Sequence, residues 1–254
     1  MQVSVLGSGS KGNAVYIESE KTAVLIDAGF SGKQLSTRLA ALGKDILRVN
    51  GVLLTHEHND HIIGAGVISR RLKIPVIANG GTFEGAAPKL GKLQQRREFI
   101  TGEQVTFQDL QIRSFRTLHD TNDPVGYVVS DGKHSIGYCT DTGKVTHLMA
   151  ARLLNCDVLI LEFNHDLEML KNGPYPLALQ QRVRSSHGHL ANNDAADFLK
   201  QLLNVRLQYV VLAHLSETNN LPAIAHRAAL EVSSTSRCKL VLASQNNPTP
   251  IIKL

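Results

Sequence analysis

The sequence predicts an α+β protein in which two mixed β-sheets pack face to face and helices cover their outer sides. Two observations predict this. Short runs rich in Val, Leu and Ile recur along the chain, and helix-period segments are interspersed with them in both halves. No linker of shifted composition or solenoid repeat interrupts this order, so residues 1–254 read as a single domain.

Residues 2–7 and 14–18 predict strands around the turn Gly7-Ser8-Gly9-Ser10-Lys11-Gly12-Asn13, and residues 22–26 a buried strand ending at Asp27-Ala28-Gly29. Ser31 is an N-cap candidate for a helix carrying Leu35, Leu39, Ala40 and Leu42, with Gly43 as its stop. A strand at 51–55, a helix at 61–72 and a strand at 75–78 follow, and the Gly-rich, basic stretch 80–97 predicts a loop with a short helix. Strands are then expected at 98–101, 104–107, 110–118, 125–130 and 134–139, with Ser130-Asp131-Gly132-Lys133 as a hairpin signal. Further helices are expected at 144–154, 176–184, 193–203 and 221–232, and strands at 157–161, 208–213 and 239–242.

Bulk properties exclude several classes. The chain is 43% hydrophobic and 19% charged, the balance of a folded globular protein. No apolar run approaches the ~20 residues of a membrane helix. The N-terminus reads as a strand rather than a signal peptide, and Cys139, Cys156 and Cys238 are odd in number and scattered, so a reduced cytoplasmic location is expected. The net charge of +5 favours anionic partners, nucleic acid included, and no membrane partner is expected.

Function concentrates in His56-Glu57-His58-Asn59-Asp60-His61, which follows the apolar run Gly51-Val52-Leu53-Leu54-Thr55. Three imidazoles and a carboxylate at one strand end form a donor set for zinc or a similar divalent ion. Other predicted strands also end on such residues: Asp27, His119, Asp141 and His214. Asp27 reads as a carboxylate that supports the ligand loop from behind by hydrogen bonding. His134, His147 and His226 read as ordinary surface or helix residues.

The order Asp27, His56-x-His58-x-Asp60-His61, His119, Asp141, His214 resembles the metallo-β-lactamase-fold hydrolases over nearly the whole chain. The resemblance implies an αββα sandwich with two metals at one edge. His56, His58 and His119 would hold one ion; Asp60, His61 and His214 the other; Asp141 would bridge. Zn²⁺ or Mn²⁺ suits this nitrogen and oxygen set. Within that superfamily, Gly7-Ser8-Gly9-Ser10-Lys11-Gly12-Asn13, Leu161-Glu162-Phe163-Asn164-His165-Asp166, Gly188-His189-Leu190-Ala191-Asn192 and Leu215-Ser216-Glu217-Thr218-Asn219-Asn220 are similar to the WalJ (YycJ) family. That family is associated with exonuclease activity on DNA from a 5′ end. Ala191 stands where that pattern has Ser, and Phe163 where it has a small residue.

Two divalent ions in such a site can activate a bridging water, whose hydroxide would attack phosphorus in line. His189 is the candidate to serve the leaving oxygen, with Glu162 orienting it. This pair resembles the Glu and His of tRNA 3′-processing nucleases. Asp60, Glu162 and His189 are thus the catalytic candidates, and Lys11, His165 and Asn192 the substrate-contact candidates, His165 alternatively supporting the site from behind, with Asn192-Asn193-Asp194 expected to cap the next helix. Arg70-Arg71-x-Lys73, Lys89-x-x-Lys92…Arg96-Arg97 and Arg182-x-Arg184 are basic clusters that either form a solvated face or track phosphates. The expected function is therefore phosphodiester hydrolysis in nucleic acid, with a 5′-to-3′ DNA exonuclease foremost. A metallohydrolase of a small cytosolic substrate (a cyclic phosphodiester, thioester or lactone) and a metal-binding protein without turnover are the competing readings.

Overall fold

A computed structural model describes all residues 1–254. Fourteen strands form two seven-stranded sheets. The first begins with β1 (Gln2–Gly7), β2 (Ala14–Glu18) and β3 (Ala23–Ile26), an antiparallel meander. It continues in parallel through β4 (Val49–Leu53), β5 (Pro75–Asn79) and β6 (Gln95–Phe99). The second sheet repeats this plan. β7 (Gln104–Phe107), β8 (Leu110–Arg116), β9 (Val125–Ser130) and β10 (Ser135–Cys139) are antiparallel neighbours. β11 (Val158–Glu162), β12 (Tyr209–Ala213) and β13 (Lys239–Leu242) then add in parallel. β14 (Ile252–Lys253) closes the outer side of β1.

Parallel strands need crossover connections, and helices supply them. These are α1 (Gly32–Ala41) with a 3-10 turn at Ile46–Arg48, α2 (Asn59–Ile62), α3 (Ala65–Leu72) and α4 (Gly80–Leu90) on the first sheet. α5 (His147–Leu153), α6 (Leu167–Asn172), α7 (Leu177–Arg184), α8 (Asn192–Leu202) and α9 (Pro222–Ser233) serve the second. One apolar layer lies between the sheets, with Ile17, Ile26, Tyr127 and Ile160 at its centre; two others lie between each sheet and its helices. Strands covered on both faces read as continuous apolar runs, as β3 and β11 do.

The α+β sandwich and the strand order expected from the sequence are present. Four local features differ. The expected helix 61–72 breaks at Gly64, which packs so closely on Phe30 that a Cβ would lie 2.0 Å from its carbonyl oxygen. The stretch 80–97 is not mainly loop: Asn79 caps α4 through Thr82 N at 2.8 Å, and β6 begins at Gln95 rather than at 98. Ala191, not an Asn, occupies the N-cap of α8, and it offers no side-chain acceptor. α6 and β14 were not expected at all.

Candidate metal centre and active site

The strands converge their ends on one edge of the sandwich. Asp27 follows β3, His56 to His61 follow β4, His119 follows β8, Asp141 follows β10, Glu162 ends β11 and His214 follows β12. Parallel pairing of β10, β11 and β12 sets the last three side by side, with Cys139 opposite Leu161 and Glu162 opposite Ala213. The backbone bends sharply to deliver them. Asp27, Asp141 and His214 have φ of 61°, 59° and 56°, a left-handed conformation that costs a non-glycine residue about 1–3 kcal/mol.

Backing groups turn the imidazoles inward. His61 Nδ1 donates to Asp27 Oδ2 at 2.7 Å, and Asp27 also accepts from Thr55 N at 2.9 Å. His56 Nδ1 meets Thr55 Oγ1 at 3.0 Å, and His119 Nδ1 donates to the Gly188 carbonyl at 3.1 Å. His214 Nδ1 donates to Glu162 Oε1 at 3.0 Å. Each ring therefore has Nε2 left to face the centre, the arrangement that fixes a ligating histidine. His58 presents Nδ1 instead, 3.2 Å from His119 Nε2.

Four overlapping sets of donor atoms lie within 4.8 Å of one another: His56 with His61 and Asp141; Asp141 with Glu162, His189 and His214; and two that share no residue, His56 with His58 and His119, and Asp60 with His61 and His214. Asp141 sits between them: its Oδ2 is 3.6 Å from His61 Nε2, and its Oδ1 is 3.5 Å from His214 Nε2 and 3.9 Å from His119 Nε2. His56 Nε2 and His214 Nε2 are buried without a hydrogen-bond partner. Orphaned nitrogens and carboxylates converging on one point fit a divalent cation.

The electrostatics agree. Burial alone would raise the Asp141 carboxyl, but His214, His61, His56 and His119 outweigh it and hold it well below the usual carboxylate range. Glu162 is depressed to about 2, burial being outweighed by the charge and hydrogen bond of His189 and the hydrogen bond of His214. Against their own burial, the carboxylates raise His61 well above the imidazole range and lift His214 to about 10. In the other group, burial comes first and lowers His56, His58 and His119.

A cavity of about 390 Å³ opens over these residues. His189 lines it, and its Nδ1 donates to Glu162 Oε1 at 2.8 Å. Glu162 is fully buried, and its Oε2 accepts from Thr142 N and Leu190 N, both at 3.1 Å. One carboxylate thus ties His189 to His214. Lys11 is exposed, paired with Glu217 and not part of the cavity lining.

His165 and Asn192 do not line the cavity, so direct contact with substrate is corrected for Asn192, whereas the burial of His165 suits the other role expected of it, supporting the site from behind. His165 is 1% exposed beneath the loop, bridging to Ala191, with both ring nitrogens unpartnered. Asn192 is 2% exposed, and its amide donates to Asn220 Oδ1 at 2.9 Å. Asn13, Asp120 and Asn164 are site residues that sequence reasoning missed. Asn13 Nδ2 lies 3.1 Å from Asp60 Oδ2 and 3.0 Å from His61 Nε2, and Asn164 Nδ2 lies 3.2 Å from His214 Nδ1. The Gly-rich turn was the available signal for Asn13. Gly29 shows why that turn must fit closely: a Cβ there would lie 1.6 Å from the Asp60 carbonyl oxygen.

Comparison with known proteins gives a consistent result. A family model described as "Beta-lactamase superfamily domain" matches residues 22–215. The chain is 35% identical to exodeoxyribonuclease YycJ of Bacillus anthracis over 91% of its own length and 89% of that protein. It is 39% identical to exodeoxyribonuclease WalJ of Streptococcus pneumoniae over 88% of its length and 84% of that protein. Among solved structures, the metallo-β-lactamase fold protein YhfI of Bacillus subtilis superposes with a TM-score of 0.76 at 19% identity, covering 97% of this chain and 98% of that one. That likeness carries the fold.

Proposed function

Because the chain belongs to the Beta-lactamase superfamily domain family and is similar to its exodeoxyribonucleases over about nine-tenths of its length, we propose that it is a divalent-metal-dependent exodeoxyribonuclease. The fold implies a divalent metal. The finer reading is two ions, Zn²⁺ or Mn²⁺, one held by His56, His58 and His119, the other by Asp60, His61 and His214, with Asp141 shared. The polarity is 5′ to 3′, the 254 residues act as one domain, and the location is the cytoplasm. No helix is long and apolar enough to cross a membrane.

One observation carries the reading furthest: a donor set of imidazoles and carboxylates backed by Asp27, Thr55 and Glu162 opens into a cavity that also holds His189. When bound, divalent ions supply an activated water and charge stabilisation at phosphorus. The chain does the rest. Asp27 and Glu162 fix the tautomers of His61 and His214. Glu162 holds His189 by Nδ1, so Nε2 is free to face the departing 3′ oxygen, and the imidazolium form of the ring would give that oxygen a proton. Asp60 is central to one donor group, so its loss should remove turnover.

The test is nucleotide release from 5′-labelled duplex DNA in Mn²⁺ or Zn²⁺, beside chelator and the Asp60→Ala variant. Release above both controls is expected. Release equal to Asp60→Ala under every metal sinks the proposal.

A further inference from the structure

The cavity that holds the carboxylate and imidazole centre is lined by a single Lys or Arg side chain, Arg182. It stands on α7, a helix with no buried residue, so α7 contributes nothing to the core yet supplies Leu179, Arg182 and Val183 to the cavity wall. α7 is nevertheless placed firmly. The Val183 carbonyl accepts from His189 N at 2.9 Å, and Gly188 lies so close that a Cβ would come within 2.3 Å of the Arg182 carbonyl oxygen. The helix that carries Arg182 is thereby fixed to the residue proposed to serve the leaving group.

The guanidinium is only partly used. Its Nε donates to Asp120 Oδ2 at 2.6 Å, and neither terminal nitrogen has a protein partner. Asp120 is itself set against the three-histidine group, its Oδ1 3.5 Å from His119 Nε2. Arg182 is about 60% exposed, so its free edge faces solvent and the cavity mouth. A planar fork held by one edge, with donors open on the other, matches the non-bridging oxygens of a phosphate.

We propose that Arg182 forms a phosphate subsite that grips a backbone phosphate neighbouring the scissile one, with Asp120 as the group that aims it. This rests on the nuclease reading above and names a contact which that reading does not contain. Lys11 does not compete for the role, since it lies outside the cavity and is paired with Glu217.

The test compares metal-loaded wild type with Arg182→Ala and Arg182→Lys on two substrates: a DNA oligonucleotide, and bis(p-nitrophenyl) phosphate, which has a scissile diester and no neighbouring phosphate. Arg182→Ala should lower kcat/KM on DNA by about 10-fold or more, mostly through KM, as loss of a charge-assisted contact does. It should cost the small diester several-fold less than DNA, and flatten the salt dependence of DNA binding by about one phosphate contact. Arg182→Lys should recover part of the affinity. An equal loss on both substrates, or an unchanged KM and salt slope on DNA, overturns the subsite while the nuclease reading stands. A wild type that cleaves neither substrate overturns both.

Discussion

His61 and Asp27 show how much of this centre depends on single hydrogen bonds. Asp27 is fully buried, bends in the left-handed region and holds the one ring nitrogen of His61 that does not face the centre. Asp27→Asn keeps the shape but presents an amide of weaker accepting power, and the affinity for metal should fall about 10–100-fold by calorimetry. Protons should move with the metal. His61 is held well above the imidazole range and His214 at about 10, so without metal both are protonated at neutral pH. An ion that takes their Nε2 must displace those protons. Binding should therefore release protons into a weak buffer, and affinity should fall as pH is lowered. Metal uptake without proton release would mean that both rings are already neutral, with Nε2 unprotonated, before the metal binds. His189 stands apart from the two three-residue groups proposed to hold the ions, although its nitrogen also clusters with Asp141, Glu162 and His214: His189→Ala should retain its metal and lose about 10²–10⁴-fold in kcat. Loss of metal in that variant would make His189 a ligand instead. The hexapeptide and strand-end residues were legible because each pairs a distinctive side chain with the end of an apolar run. Asn192 misled because sequence proximity to the motif says nothing about facing: it is turned into the protein and buried, as His165 is.

At the scale of elements, the strands read well where burial imposes a pattern and badly where it does not. β6 exposes Gln95, Arg96, Arg97 and Glu98 in succession, with only Phe99 buried. It is a strand because β5 pairs with it, not because its residues alternate, so no periodicity could have marked its start. The break between α2 and α3 follows from the close approach of Gly64 to Phe30, a tertiary contact that a helical pattern cannot signal. α8 offers a test. Its N-cap Ala191 has extended φ and ψ of −68° and 156° but no side-chain oxygen for the first-turn amides. Ala191→Ser should stabilise the protein by about 0.5–2 kcal/mol, read as a higher midpoint in chemical denaturation. A lower midpoint would mean that the buried pocket around Ala191 has no room for the hydroxyl.

For the whole molecule, the fold and the site separate cleanly. Three apolar layers hold the sheets and helices together, and the donor groups sit at one edge of them. Chelation should therefore abolish nucleotide release while leaving the far-ultraviolet circular dichroism unchanged, with the midpoint of thermal unfolding lowered by the lost binding energy. The duplicated sheet plan explains the site's place: in both sheets the meander gives way to parallel strands, so successive strand ends point to one edge. The sequence carried this architecture through its strand order and the family resemblance, but gave no signal that α7 would lie over the cavity. Two divalent ions in this centre are proposed to drive DNA hydrolysis, and nucleotide release from 5′-labelled duplex as Mn²⁺ is titrated into metal-free protein, beside Asp60→Ala, tests this. Release that climbs with bound metal and levels off at two ions per chain, with Asp60→Ala near background, is the predicted result. Full release from the metal-free protein, or none from the loaded wild type, would contradict it.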